Sequence, residues 1–149
     1  MNDANNDNVF RGLLFPVDGP VAPVSIRAGH LLDDLYREMR CTMVEVVPLS
    51  AGIDIWCDEE AHFAPAPQPN RVWVVRRRNG SVRWPIFGHA VVLGRTEDGT
   101  RSRSLTLDEA DEALVRVMAT NRDLAIAGDP RPAHRDLDRW LRDGIDWRQ

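Results

Sequence analysis

The sequence predicts an α+β domain built on a mainly antiparallel sheet. Two observations carry the sheet. Short apolar runs with two-residue alternation recur between turn signals. Asn79-Gly80, set between apolar runs, marks a tight hairpin rather than a helical crossover. A third observation places the helices. Apolar residues recur at helical spacing in residues 30–40, 106–120 and 133–143, once in the N-terminal half and twice at the end.

Residues 1–8, MNDANNDN, are too polar to pack and read as a disordered lead-in. Residues 9–17 read as a strand that ends at the Asp18-Gly19-Pro20 turn. Residues 21–27 return as an edge strand, since Pro23 cannot donate to a ladder. In residues 30–40, Leu31, Leu32, Leu35, Tyr36 and Met39 form the buried stripe, with Asp33, Asp34, Arg37 and Glu38 on the other side. Residues 42–47 and 53–57 are strands, with Pro48 to Gly52 as their loop. In the second of them Ile53, Ile55 and Cys57 face the core, and Asp54, Trp56 and Asp58 face away.

Residues 64–70, APAPQPN, are spaced by proline and predict a stiff extended strap. Residues 86–93 form the most apolar strand and should hold the sheet centre, followed by a polar loop over 96–104. Thr106 as N-cap with Glu109 three residues on predicts a capping box for the 106–120 helix. Its stripe is Leu107, Ala110, Leu114, Val117 and Met118. The 133–143 helix follows Pro132, stops at Gly144 and buries Leu137, Trp140 and Leu141. The expected organisation is one domain over 9–149, with a helical extension from about residue 121.

Net charge is −4 in 149 residues, which excludes the global basic field of many nucleic-acid binders. All 19 basic residues are arginine. Codon usage in a GC-rich genome accounts for that count, but not for where the arginines cluster. Cys41 and Cys57 have neither zinc spacing nor a disulfide framework and read as reduced thiols. The N-terminus lacks the basic and apolar regions of a signal peptide. With no apolar run of the roughly 18 residues a membrane span needs, the expected location is a bacterial cytoplasm or that of an infected host.

The charge concentrates in VWVVRRRNGSVRW, residues 72–84. A hairpin turning at Asn79-Gly80 sets Arg76 opposite Arg83 and Val75 opposite Trp84. One face then carries Trp73, Val75, Arg77, Val82, Trp84 and Ile86; the other carries Val72, Val74, Arg76, Arg78, Ser81, Arg83 and Pro85. Like charges directly opposite are unfavourable unless something acidic relieves them. Residues 71–103 hold eight arginines against Glu97 and Asp98, a local charge near +6. Arg71, Arg76, Arg78, Arg83, Asn70 and Trp56 are therefore the candidate binding residues.

Several readings of this surface stand. One is a solvated hairpin end balanced by Asp58, Glu59 and Glu60. Another is a contact for an acidic host protein, with steered, salt-dependent association. A third is a phosphorylated nucleotide, its phosphates on arginines and its base on a tryptophan. Nucleic acid follows, without a recognition-helix pattern, and a sheet edge could also serve a homodimer.

Enzyme motifs are missing: there is no nucleophile elbow, phosphate loop or dinucleotide fingerprint. His30, His62, His89 and His134 are scattered. Asp58, Glu60 and His62 alternate in a metal-like pattern but read better as a solvated acidic loop. His89 reads as a hydrogen-bonded structural histidine, and Cys57 with His62 lacks a supporting pattern for a nucleophile. No catalytic residue, metal ligand or cofactor is predicted.

The elements LFPVDG, GIDIWCDEEAHF, PQPNR, IFGHAVVLG and SLTLDEADEAL span Leu14 to Leu114. Together they resemble a small family catalogued as a domain of unknown function, from phages, plasmids and actinobacteria. Asp58-Glu59-Glu60, Pro69-Asn70-Arg71 and Ile86 to Gly94 carry the likeness. Ala61 stands where such proteins often have glycine, and the C-terminal helix is an addition. The resemblance implies a mobile-element accessory protein that binds rather than catalyses. The functional expectation is a non-enzymatic accessory protein, without a cofactor, that binds and modulates a host protein in counter-defence, with sequestration of a phosphorylated nucleotide as the alternative and nucleic-acid binding third.

Overall fold

The computed structural model describes residues 8–61, 71–79 and 85–121. Strands β1 (Val9–Phe15) and β2 (Ala22–Arg27) form an antiparallel hairpin, with Pro23 on the β2 edge opposite Leu13. A short 3-10 turn, Ala28–His30, leads into helix α1, Leu31–Met39. The helix stops at Arg40, which adopts the left-handed conformation (φ 52°) and returns its N–H to the last turn.

Strand β3 (Val44–Ser50) pairs with β4 (Ile53–Asp58). The expected loop from Pro48 is shorter than predicted, because the strand continues through a register shift between Pro48 and Ser50. Strand β5 (Arg71–Val75) follows, then β6 (Ala90–Arg95), the two-residue β7 (Ser102–Arg103), helix α2 (Leu107–Arg116) and β8 (Val117–Asn121). The order β2-β1-β6-β4-β3 puts β6 at the sheet centre, with β7 beside its end; β5 and β8 make a separate antiparallel pair. The expected central strand is thus found, but it starts at Ala90. Gly88, at φ 76°, turns the chain just before it.

Side-chain alternation divides the core in two. On one face of the large sheet, Leu13, Phe15, Ile53, Ile55, Cys57, Ala90 and Val92 meet Trp73 and Val75 of β5 and Ala110 and Ala113 of α2. On the other, Val24, Ile26, Val91 and Leu93 meet Leu35 and Met39 of α1. Phe15 and Trp73 join the first layer edge to face, centroids 5.1 Å apart.

The helix after Thr106 begins as expected. Thr106 Oγ1 accepts the Glu109 N–H at 3.1 Å, and Glu109 accepts the Thr106 N–H at 2.9 Å. It ends earlier. Val117 is extended, and residues Val117 to Asn121 pair with β5 instead of continuing the predicted helix to Thr120. Pairing with β5 outweighs the helical spacing at Val117 and Met118. Leu107, expected in the buried stripe, is exposed at the first position of α2.

The hairpin prediction survives at its base. The register fixed by Asn79-Gly80 places Trp73 across from Ile86, and those two residues exchange backbone hydrogen bonds of 3.0 and 2.6 Å. The full ladder of β5, however, is with β8. Both faces of β5 are buried, Val72 and Val74 included, where one face was expected to be mixed. Residues 80–84, the 64–70 strap and the 133–143 helix lie outside the described residues.

Candidate functional site

The predicted binding residues do not form one surface. Arg71 is buried, 4% exposed, at the start of β5. Its Nη2 donates to the carbonyl oxygens of Pro16 at 2.6 Å and Gly19 at 2.7 Å. Its guanidinium carbon lies 5.2 Å from the Trp73 ring centroid. Burial pushes its pKa below the usual arginine value. Arg71 therefore ties the β1–β2 turn to β5 and is removed from the exposed arginine face.

Arg76, Arg77 and Arg78 are exposed, directly after five buried residues. Arg76 holds the end of α2: its N–H donates to the Arg116 carbonyl at 2.7 Å, and Arg116 Nε donates to the Arg76 carbonyl at 2.9 Å. The Arg76 side chain reaches Met118 Sδ at 3.4 Å. Arg78 comes within 3.6 Å of Glu112, which also binds Arg116 at 2.7 Å. One carboxylate thus faces two guanidinium groups. Arg83 and Asn70 lie outside the described residues.

Trp56 belongs elsewhere. Ile55 and Cys57 face the layer that contains β5, so the alternation of β4 turns Trp56 to the opposite face, beside the α1 core. The predicted combination of Trp56 with Arg76 and Arg78 is therefore not assembled, because the large sheet lies between them. Trp56 instead lines a cleft of about 860 Å³. Its Nε1 is buried and has no hydrogen-bond acceptor among the described residues. In the same cleft Arg95 pairs with buried Asp54 and donates to the carbonyls of Ser50 at 3.1 Å and Ala51 at 2.6 Å. Burial raises the Asp54 pKa and Arg95 opposes the shift. Sequence reasoning placed Trp56 on the correct face of its strand. It missed the cleft, whose walls come from segments far apart in the chain.

A second cleft, about 530 Å³, is lined by Met43, Glu45, Asp58, Glu59, Glu60 and Phe87 among others. Asp58 caps the turn after β4 by accepting the Glu60 N–H at 3.0 Å. Among the described residues no cluster of histidine, cysteine or carboxylate side chains has the geometry of a metal site; His62 lies outside them. His89 accepts the Val17 N–H through Nδ1 at 3.2 Å, so its neutral form carries the proton on Nε2. Burial and the Arg40 charge hold its pKa below the ordinary value. Cys41 and Cys57 are not joined in a disulfide, and Cys57 is buried. Among the described residues no helix is long and apolar enough to cross a membrane.

No curated protein and no solved structure matches the chain. A family model does match, over residues 10–119, from the second residue of β1 to the middle of β8. The span takes in the strands of both sheets and both helices, and the chain belongs to the family described as Domain of unknown function (DUF3846).

Proposed function

We propose that the protein is a non-enzymatic binding module, an accessory protein of a phage or other mobile element, that captures an acidic host protein. The carrying observation is the abrupt change along β5. Five buried residues are followed by three exposed arginines, of which Arg78 reaches Glu112, a carboxylate it shares with Arg116 of α2. A strand packed on both faces holds its end rigidly, so the arginines are presented at little cost in backbone entropy. Arginine suits carboxylate recognition because its planar fork donates two parallel hydrogen bonds. The mobile-element setting comes from the family resemblance.

The test is capture from host lysate by the wild-type protein and by Arg76→Glu/Arg77→Glu/Arg78→Glu. The substituted residues are exposed, so the variant should stay folded, with an unfolding free energy in urea within about 1 kcal/mol of wild type, the loss coming from the new carboxylate at position 78 facing Glu112. Its capture of the partner should be lost, and wild-type capture should weaken with added salt. A folded triple variant that captures the same partner equally well would remove the proposal.

A further inference from the structure

The Trp56 cleft lies on the far side of the sheet from the arginines of β5. Helix α1 packs over β2 and β6, and beyond it β4 and β3 present Trp56 and Val46, the latter 42% exposed. Phe10 of β1 and Leu31 of α1 complete the apolar lining.

The opposite wall is the 96–101 turn. Asp98 accepts from Thr96 Oγ1 at 2.6 Å, from the Thr100 N–H at 3.1 Å and from Thr100 Oγ1 at 2.9 Å. These bonds lower the Asp98 pKa to about 2 and stiffen the turn that carries Arg101. Arg101 lines the cleft, and its charge adds a smaller contribution to the lowering of the Asp98 pKa. Arg95 is different, since Asp54 and two carbonyls engage its guanidinium. The cleft lining thus carries two arginines, Arg95 and Arg101, against the single carboxylate of Asp54, together with the Trp56 indole.

We infer that this cleft is a site for a small planar anion of the nucleoside monophosphate class, its base against Trp56 and its phosphate on Arg101. About 860 Å³ is within the range of small-molecule sites, which are apolar with a few placed polar groups. Stacking on tryptophan tolerates any base, and a single guanidinium matches one phosphate better than a chain of them. The site is independent of the arginine end of β5, so either can fail alone.

The test titrates the full chain with AMP, adenosine and inorganic phosphate, reading the indole N–H resonances by NMR. The Trp56 signal is assigned by its loss in Trp56→Phe. AMP should shift that signal saturably and bind at least tenfold more tightly than adenosine or phosphate. Arg101→Glu should weaken AMP at least tenfold, and Arg78→Glu should leave it unchanged. Equal affinity for AMP and adenosine would overturn the inference. So would a Trp56 signal unmoved by millimolar AMP, GMP, CMP or UMP, or AMP binding lost in Arg78→Glu and kept in Arg101→Glu.

Discussion

The Arg71 guanidinium donates to the carbonyls of Pro16 and Gly19 while lying 5.2 Å from the Trp73 ring centroid. An arginine beside a basic run is thus a tether between the β1–β2 turn and the second sheet. Arg71→Ala leaves two carbonyls without their donor and opens space beside Trp73. We expect a loss of about 2–3 kcal/mol in urea denaturation, while exposed Arg78→Ala stays within about 0.5 kcal/mol. A near-neutral Arg71→Ala would contradict the tether.

Asp34 joins β2 to α1. Buried completely, it accepts the Arg27 N–H at 2.8 Å and the Arg27 guanidinium at 2.7 Å, with Arg37 at 3.1 Å. It was expected on the solvent side of the helix. The Arg27 hydrogen bonds, first, hold its carboxyl well below the ordinary 3.8 despite burial. A carboxylate depressed in the fold stabilises fully above its unfolded pKa, and that contribution is lost as pH falls through the folded value. Stability measured from pH 5 downward should therefore decline in the wild type and decline less steeply in Asp34→Asn. At pH 7 that variant should be about 2 kcal/mol less stable.

His89 gives a second pH effect in a different window. Its folded pKa is depressed from 6.5, so its contribution is complete above that value and is lost as pH falls through the folded one. Protonation also removes the acceptor for the Val17 N–H. The imidazole should titrate below 6.5 by NMR. His89→Asn, which keeps a short acceptor, should flatten the stability change between pH 7 and 5.

Glu109 has two tasks. It accepts the Thr106 N–H in the capping box and binds Arg103 through both oxygens, at 2.7 and 2.8 Å. Thr106→Ala removes one cap bond and should cost about 1 kcal/mol. Glu109→Ala removes the cap and the ion pair and should cost about 2 kcal/mol. Equal urea midpoints for the two variants would show that the Arg103 pair adds nothing.

Much of the fold is legible in the sequence because it follows from local periodicity. The alternation of Ile53, Ile55 and Cys57 predicts the core face of β4, and Thr106 with Glu109 predicts the start of α2. What stays hidden depends on partners distant in sequence. Val117 and Met118 continue a helical spacing, yet β5 recruits them as a strand. Asp34 looks like a surface residue until Arg27 is placed over it. The candidate site is less legible than the fold. Composition shows that arginines cluster, but cannot show that Arg71 is internal or that Trp56 faces away from β5. The neighbours that Trp56 acquires in its cleft, Phe10 and Arg101, lie 46 and 45 residues away.

The central position of β6 has a consequence for the growing chain. The β1–β2 and β3–β4 hairpins form from neighbouring sequence, but each keeps an open edge until residues 90–95 arrive to lie between them. Leu13 must wait for Val92, 79 residues later, before its ladder closes. On the ribosome, the nascent protein therefore carries two half-sheets with open edges from the completion of β4 at Asp58 until Ala90–Arg95 have been made. Emergence of β6 from the exit tunnel is what joins them, so it is the first point at which the two hairpins can share one sheet and their inner edges are covered.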